Sequence, residues 1–98
     1  MQFVIRALDG ENTLEKRKEV RAEHLENLSK FEGKNLCSGA LLDGEGNMKG
    51  SMLVLEAESR AQIDAYLAGE PYLREGVWET VEVERMHVVF LDGGKVGA

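Results

Sequence analysis

The chain has 98 residues, with 12 Lys and Arg against 18 Asp and Glu, a formal net charge of −6 and 43% hydrophobic residues. A domain of this size is expected to bury only about 60–65% of its unfolded surface, so the core is thin and self-association is a cheap gain in stability. The acidic balance argues against a nucleic-acid partner, no apolar run nears the roughly 18 residues of a membrane span, and the single cysteine, Cys37, points to a reducing cytoplasm.

Residues 2–8 are rich in strand formers and end in the turn signal Asp9-Gly10. The opening residues Met1-Gln2-Phe3-Val4-Ile5-Arg6 do not read as a signal peptide. Over residues 13–32 the period changes. Leu14, Lys18, Arg21, Leu25, Leu28 and Phe31 recur at three-to-four spacing, which predicts an amphipathic helix. Asn12 with Glu15 three later can cap its start, and Gly33 can end it. Residues 35–42 and 50–57 read as two strands joined through the turn Asp43-Gly44-Glu45-Gly46-Asn47. Ser59 and Gln62 form a capping pair for a second short helix, with Ile63, Tyr66 and Leu67 on its apolar face and Gly69 at its end. Pro71 biases Glu70 away from helical backbone. A long fourth strand is expected over 77–91, with a bulge or a change of buried face near Arg85, because Val81 and Val83 lie on one side and Met86, Val88 and Phe90 on the other. The domain is therefore expected over residues 1–91, followed by a flexible tail over 92–98.

The order βαββαβ predicts an α+β, ferredoxin-like domain with two helices on one face of a four-stranded antiparallel sheet. Strands one and three are apolar on both faces (Phe3 and Ile5 against Val4 and Leu8; Met52 and Val54 against Leu53 and Leu55). Two helices cover one face, so the other is expected to meet a second copy and form a homodimer.

Few residue groups carry chemistry. Gly44-Glu45-Gly46-Asn47-Met48-Lys49-Gly50 has the wrong spacing for a dinucleotide loop and precedes a strand. Asn27-Leu28-Ser29 is read as a chance glycosylation triplet within a helix. His24, His87 and Cys37 lack metal-pair spacing, so no metal site and no cofactor are expected. Cys37 is expected to be a buried, inert strand residue, and His87 to be structural. His24 is either an ordinary helix histidine or a titrating acid–base group. Glu70-Pro71-Tyr72 is either a helix stop or an irregular segment that aims a carboxylate into a cleft.

Together, the Arg21-x-x-His24-Leu25-x-x-Leu28 helix, Ser38-Gly39 in the second strand, and Glu70-Pro71-Tyr72 followed by Gly76 resemble the YciI-like (YCII-related) family. The resemblance implies a dimeric α/β barrel with a histidine–aspartate pair in a cleft, proposed as an acid–base centre. His24 matches the histidine. Glu70 stands where the family has aspartate, one methylene longer. A relative is associated with removal of chloride from a hydroxylated aromatic intermediate. On this resemblance His24 and Glu70 are the candidate catalytic pair, and Arg21, Ser38, Gly39 and Tyr72 the candidates for binding a small organic, anionic or aromatic ligand. The expected activity is of the lyase, isomerase or dehydrochlorinase type. The alternatives are a non-catalytic ligand-binding or regulatory module and a purely structural domain.

Overall fold

Side-chain alternation in the first strand decides which side of the sheet is covered. In the computed structural model, which describes all 98 residues, Phe3, Ile5 and Ala7 of β1 (Gln2–Asp9) are buried, while Val4 and Leu8 on the other face are half-buried and Arg6 is exposed. The chain continues through α1 (Leu14–Ser29), the hairpin β2 (Lys34–Leu42) and β3 (Met48–Glu56), α2 (Arg60–Ala68), a one-turn α3 (Pro71–Arg74) and β4 (Trp78–Met86). The sheet is antiparallel throughout, in the order β2-β3-β1-β4. This is the ferredoxin-like α+β arrangement. The core lies between the inner face of the sheet and the helices: Phe3, Ile5, Leu53 and Leu55 meet Val20 and Leu28 of α1 and Ile63 and Tyr66 of α2. Each fully buried Ile, Leu or Phe contributes about 1.5–3 kcal/mol.

Local chemistry explains the turns. Asp43 Oδ1 accepts from the backbone N–H groups of Glu45 (2.8 Å) and Asn47 (3.0 Å), and Gly46 supplies the positive φ of 85°. Those two N–H groups hold the Asp43 carboxyl below its ordinary value. Ser59 accepts from Gln62 N–H at 3.4 Å, and Gln62 Oε1 reaches back to Glu58 N–H at 2.8 Å. Gly50 lies opposite Leu8 where β3 pairs with β1, and a Cβ there would lie 2.4 Å from the Ala7 carbonyl oxygen.

Several sequence expectations need correction. α1 is capped by Thr13 rather than Asn12, without a side-chain hydrogen bond, and Asn12 takes a left-handed φ of 58°. The helix ends at Ser29, short of Gly33. Its buried stripe is Arg17, Val20, His24 and Leu28, while Leu25 is exposed. Cys37 is exposed, because β2 is an edge strand whose pairing with β3 shifts at Leu36. β4 stops at Met86 instead of running to residue 91. Its register shift falls at Glu79, opposite Leu8 and Asp9, rather than near Arg85. The apolar side changes at Val88 because the chain has left the sheet there, with Val88 N–H donating to Gln2 Oε1 at 3.0 Å. Beyond it, β5 (Phe90–Leu91) and β6 (Gly94–Lys95) form a small hairpin, and the N–H groups of Val96 and Gly97 bond to the Val89 carbonyl.

The open face of the sheet carries Val4, Met52 and Val54 with Arg6, Glu82 and Glu84 in register beside them. Met52 is exposed.

Candidate functional site

The buried stripe of α1 is unusual because two of its four members are polar. Arg17 is 3% exposed. Its Nη1 donates to both carboxylate oxygens of Asp9 at the end of β1 (2.9 and 3.0 Å), and Nη2 donates to Ser51 Oγ on β3 (2.9 Å). Trp78 Nε1 donates to the same hydroxyl at 3.2 Å. A buried guanidinium is tolerable only when paired and hydrogen-bonded in this way. Burial raises the Asp9 carboxyl above its ordinary value, with the Arg17 charge and hydrogen bonds acting in the opposite direction.

Glu70 enters from the other side. Gly69 ends α2, and Pro71, at the first position of α3, holds Glu70 in extended backbone (φ −73°, ψ 118°). That turns its side chain inward, where it is fully buried. Three donors converge on the carboxylate. Oε1 pairs with His24 Nδ1 at 2.7 Å and accepts from Tyr72 N–H at 3.1 Å, and Oε2 accepts from Tyr66 Oη at 2.5 Å. The Tyr66 phenol is pushed far above its ordinary value, first by burial and then by the negative charge of Glu70.

Aromatic groups fix the imidazole in place. Tyr72 stacks on His24 with centroids 4.1 Å apart and planes 17° apart, and Trp78 meets it edge-on at 5.9 Å. The Arg17 guanidinium lies over the Tyr72 ring at 4.7 Å. The stacked imidazole occupies one face of that ring, so the guanidinium lies over the other. Burial raises the Tyr72 phenol, with the charges of Arg17 and Arg21 opposing the rise.

A carboxylate at Nδ1 holds the ring proton there and leaves the Nε2 lone pair free. His24 lines a cavity of about 150 Å³ between α1 and the β2–β3 edge, together with Arg21, Ser38, Gly39 and Tyr72. No Asp or Glu lines it, although the chain as a whole is acidic. The structure thus brings Arg21, His24, Ser38, Gly39 and Tyr72 around one space, and places Glu70 behind His24 rather than in the cavity wall. Arg21 is exposed at the rim, and Ser38 Oγ accepts from Asn35 Nδ2 at 3.1 Å. A Cβ on Gly39 would meet nothing within 4 Å, so no protein atom demands glycine there. His87 bonds to the Ala98 carbonyl at 2.9 Å, away from the cavity. A larger groove of about 260 Å³, lined by Asn27, Phe31, Gln62 and Tyr66 among others, touches the Glu70 cluster only through Tyr66.

Sequence reasoning missed Asp9, Arg17, Ser51, Tyr66 and Trp78. The available signals were slight: Arg17 lies two turns before His24 on the same helix face, and Tyr66 lies one turn before Glu70.

Residues 1–87 match the YCII-related domain. The chain belongs to this family. It is 36% identical over 98 residues to Protein YciI of Escherichia coli, covering 92% of this chain and 100% of that protein, and 35% identical, with the same coverage, to an uncharacterised protein of Haemophilus influenzae. Among solved structures it is similar to 5-chloro-2-hydroxyhydroquinone dehydrochlorinase from Burkholderia phenoliruptrix AC1100 in complex with 2,5-dihydroxybenzoquinone. The TM-score is 0.82 and the identity 28%, covering 89% of this chain and 94% of that one. A likeness to an antibiotic biosynthesis monooxygenase (TM-score 0.58, 15% identity, covering 90% of this chain and 97% of that one) concerns the fold alone.

Proposed function

We propose that this YCII-related protein is a proton-transfer enzyme of the dehydrochlorinase type, acting on a small hydroxylated ring, with His24 Nε2 as general base and Glu70 holding His24 in position. The observation that carries this reading is the 2.7 Å contact between two buried groups, His24 Nδ1 and Glu70 Oε1, beside a cavity into which the imidazole faces. The resemblance to a dehydrochlorinase supplies the substrate class, and the absence of lining carboxylates fits a ligand that carries negative charge. Arg21 attracts that charge, and Ser38 keeps its hydroxyl proton available for a ligand oxygen.

Loss of HCl from a chlorinated hydroxyhydroquinone balances without an oxidant. A proton moves from a ring hydroxyl to the carbon that bears chlorine. A second hydroxyl proton then passes to the base as chloride leaves with its bonding pair, and a hydroxyquinone remains. A positioned base is worth about 10²–10⁴-fold in such steps.

The enzyme acts as a homodimer joined through the open sheet face, where Val4, Met52 and Val54 are flanked by Arg6 and Glu82 in register. An accessible, unpaired Cys37 suits a cytoplasmic setting.

The test is chloride release from 5-chloro-2-hydroxyhydroquinone under nitrogen. The wild-type protein should accelerate it, and His24→Asn should remove about 10²–10⁴ of that acceleration. Equal rates for the two proteins, or no acceleration by the wild type, would overturn the proposal.

A further inference from the structure

A base speeds proton removal only if the charge it creates on the substrate is accommodated better than in water. Glu70 Oε1 already occupies one ring nitrogen of the stacked pair, His24 Nδ1, and anchors the Tyr72 backbone through its N–H. The two remaining ends are His24 Nε2 and the Tyr72 hydroxyl. The Tyr72 hydroxyl makes no hydrogen bond within the protein, and it is not sealed, because the buried side-chain atoms left without a partner are Arg17 Nε and Asn27 Nδ2. Tyr72 is only 1% exposed and lines the cavity, so its hydroxyl meets that space rather than open solvent. The near-parallel rings are 4.1 Å apart. Both residues line the same small cavity, so one ligand oxygen held there can meet both groups at hydrogen-bond length.

We propose that Tyr72 is a catalytic residue whose hydroxyl donates to the same substrate oxygen that loses its proton to His24, so that the pair selects a single-ring phenol or enol. This inference rests on His24 being the base. In the step, the substrate O–H bond breaks, the proton joins Nε2, and the electron pair stays on the oxygen, where the Tyr72 O–H meets it. The cavity, about 150 Å³, has room for one aromatic ring. Arg17 supports the arrangement from behind by pressing on the far face of the Tyr72 ring and fixing its plane.

Tyr72→Phe keeps the ring, the stack and the Arg17 contact while deleting only the donor, so its fold should be intact by circular dichroism. In the chloride-release assay it should lose about 10²-fold in kcat, as expected for one donor to an oxyanion. In parallel, 2,5-dihydroxybenzoquinone bound to the wild type should show a displaced visible absorption band, and in Tyr72→Phe that displacement should be smaller. A wild-type rate and the full wild-type band displacement in Tyr72→Phe, while His24→Asn is inactive, would remove Tyr72 from the chemistry and leave His24 standing. A wild-type rate in His24→Asn would instead overturn the base itself, and this inference with it.

Discussion

Glu70→Gln tests how much of the structure depends on one buried carboxylate. The native side chain accepts from three donors and has no exposure to water. Glutamine has the same shape but offers one carbonyl oxygen and one NH₂ group. If the carbonyl takes the Oε1 place, it still serves His24 Nδ1 and the Tyr72 N–H, but the NH₂ group then faces the Tyr66 hydroxyl and turns that phenol from donor to acceptor. If the amide is reversed, its NH₂ group opposes the Tyr72 N–H. Either way the charge assistance on three hydrogen bonds is lost and one buried donor goes unmatched, a cost of about 2–3 kcal/mol. For a domain of this length that corresponds to a fall in Tm of roughly 8–24 °C. Urea denaturation followed by Trp78 fluorescence and far-ultraviolet circular dichroism measures it directly. A Glu70→Gln protein within about 0.5 kcal/mol of wild type, a shift typical of neutral surface changes, would refute the claim that this carboxylate organises the site.

Arg17→Met strands a buried Asp9 carboxylate and should cost about 3–5 kcal/mol; adding Asp9→Leu should recover part of that loss, as chemical denaturation of the single and double variants would show. Tyr66 has a phenol raised above its unfolded value of about 10, so its contribution is complete below that pH and is lost above it, when the unfolded chain sheds the proton first. The stability difference between wild type and Tyr66→Phe should therefore shrink by up to about 1.4 kcal/mol per pH unit above pH 10, and a difference that stays flat from pH 9 to 11 contradicts this. Met52→Glu places a charge at the centre of the open sheet face, so sedimentation should find wild-type dimers and variant monomers; wild-type monomers at micromolar concentration would exclude that interface.

The order of elements was legible because each rests on local signals. Runs of strand-forming residues bounded by turn signals mark β1 and β3, Asp43 and Gly46 make the hairpin turn, and Ser59 with Gln62 opens α2. The face of α1 was not legible. Hydrophobic periodicity reads apolar side chains, and here two of the four buried positions are Arg17 and His24, whose burial depends on Asp9, Ser51 and Glu70 at distances of 8, 34 and 46 residues along the chain. The exposure of Cys37 likewise follows from sheet order, which places β2 at an edge. The end of β4 was hidden because Val88 looks like a strand residue, yet it is held by a side chain, Gln2, from the opposite end of the chain. Resemblance paired His24 with Glu70, while the aromatic stack around the pair became visible only in three dimensions.

The most direct measurement is the proton position on His24, read by ¹⁵N NMR of the neutral imidazole in the intact protein. A base held from behind by Glu70 must carry its proton on Nδ1 and show an unprotonated Nε2. A His24 ring with the proton on Nε2 would mean that the nitrogen facing the cavity has no lone pair to offer, and the proposed chemistry could not proceed.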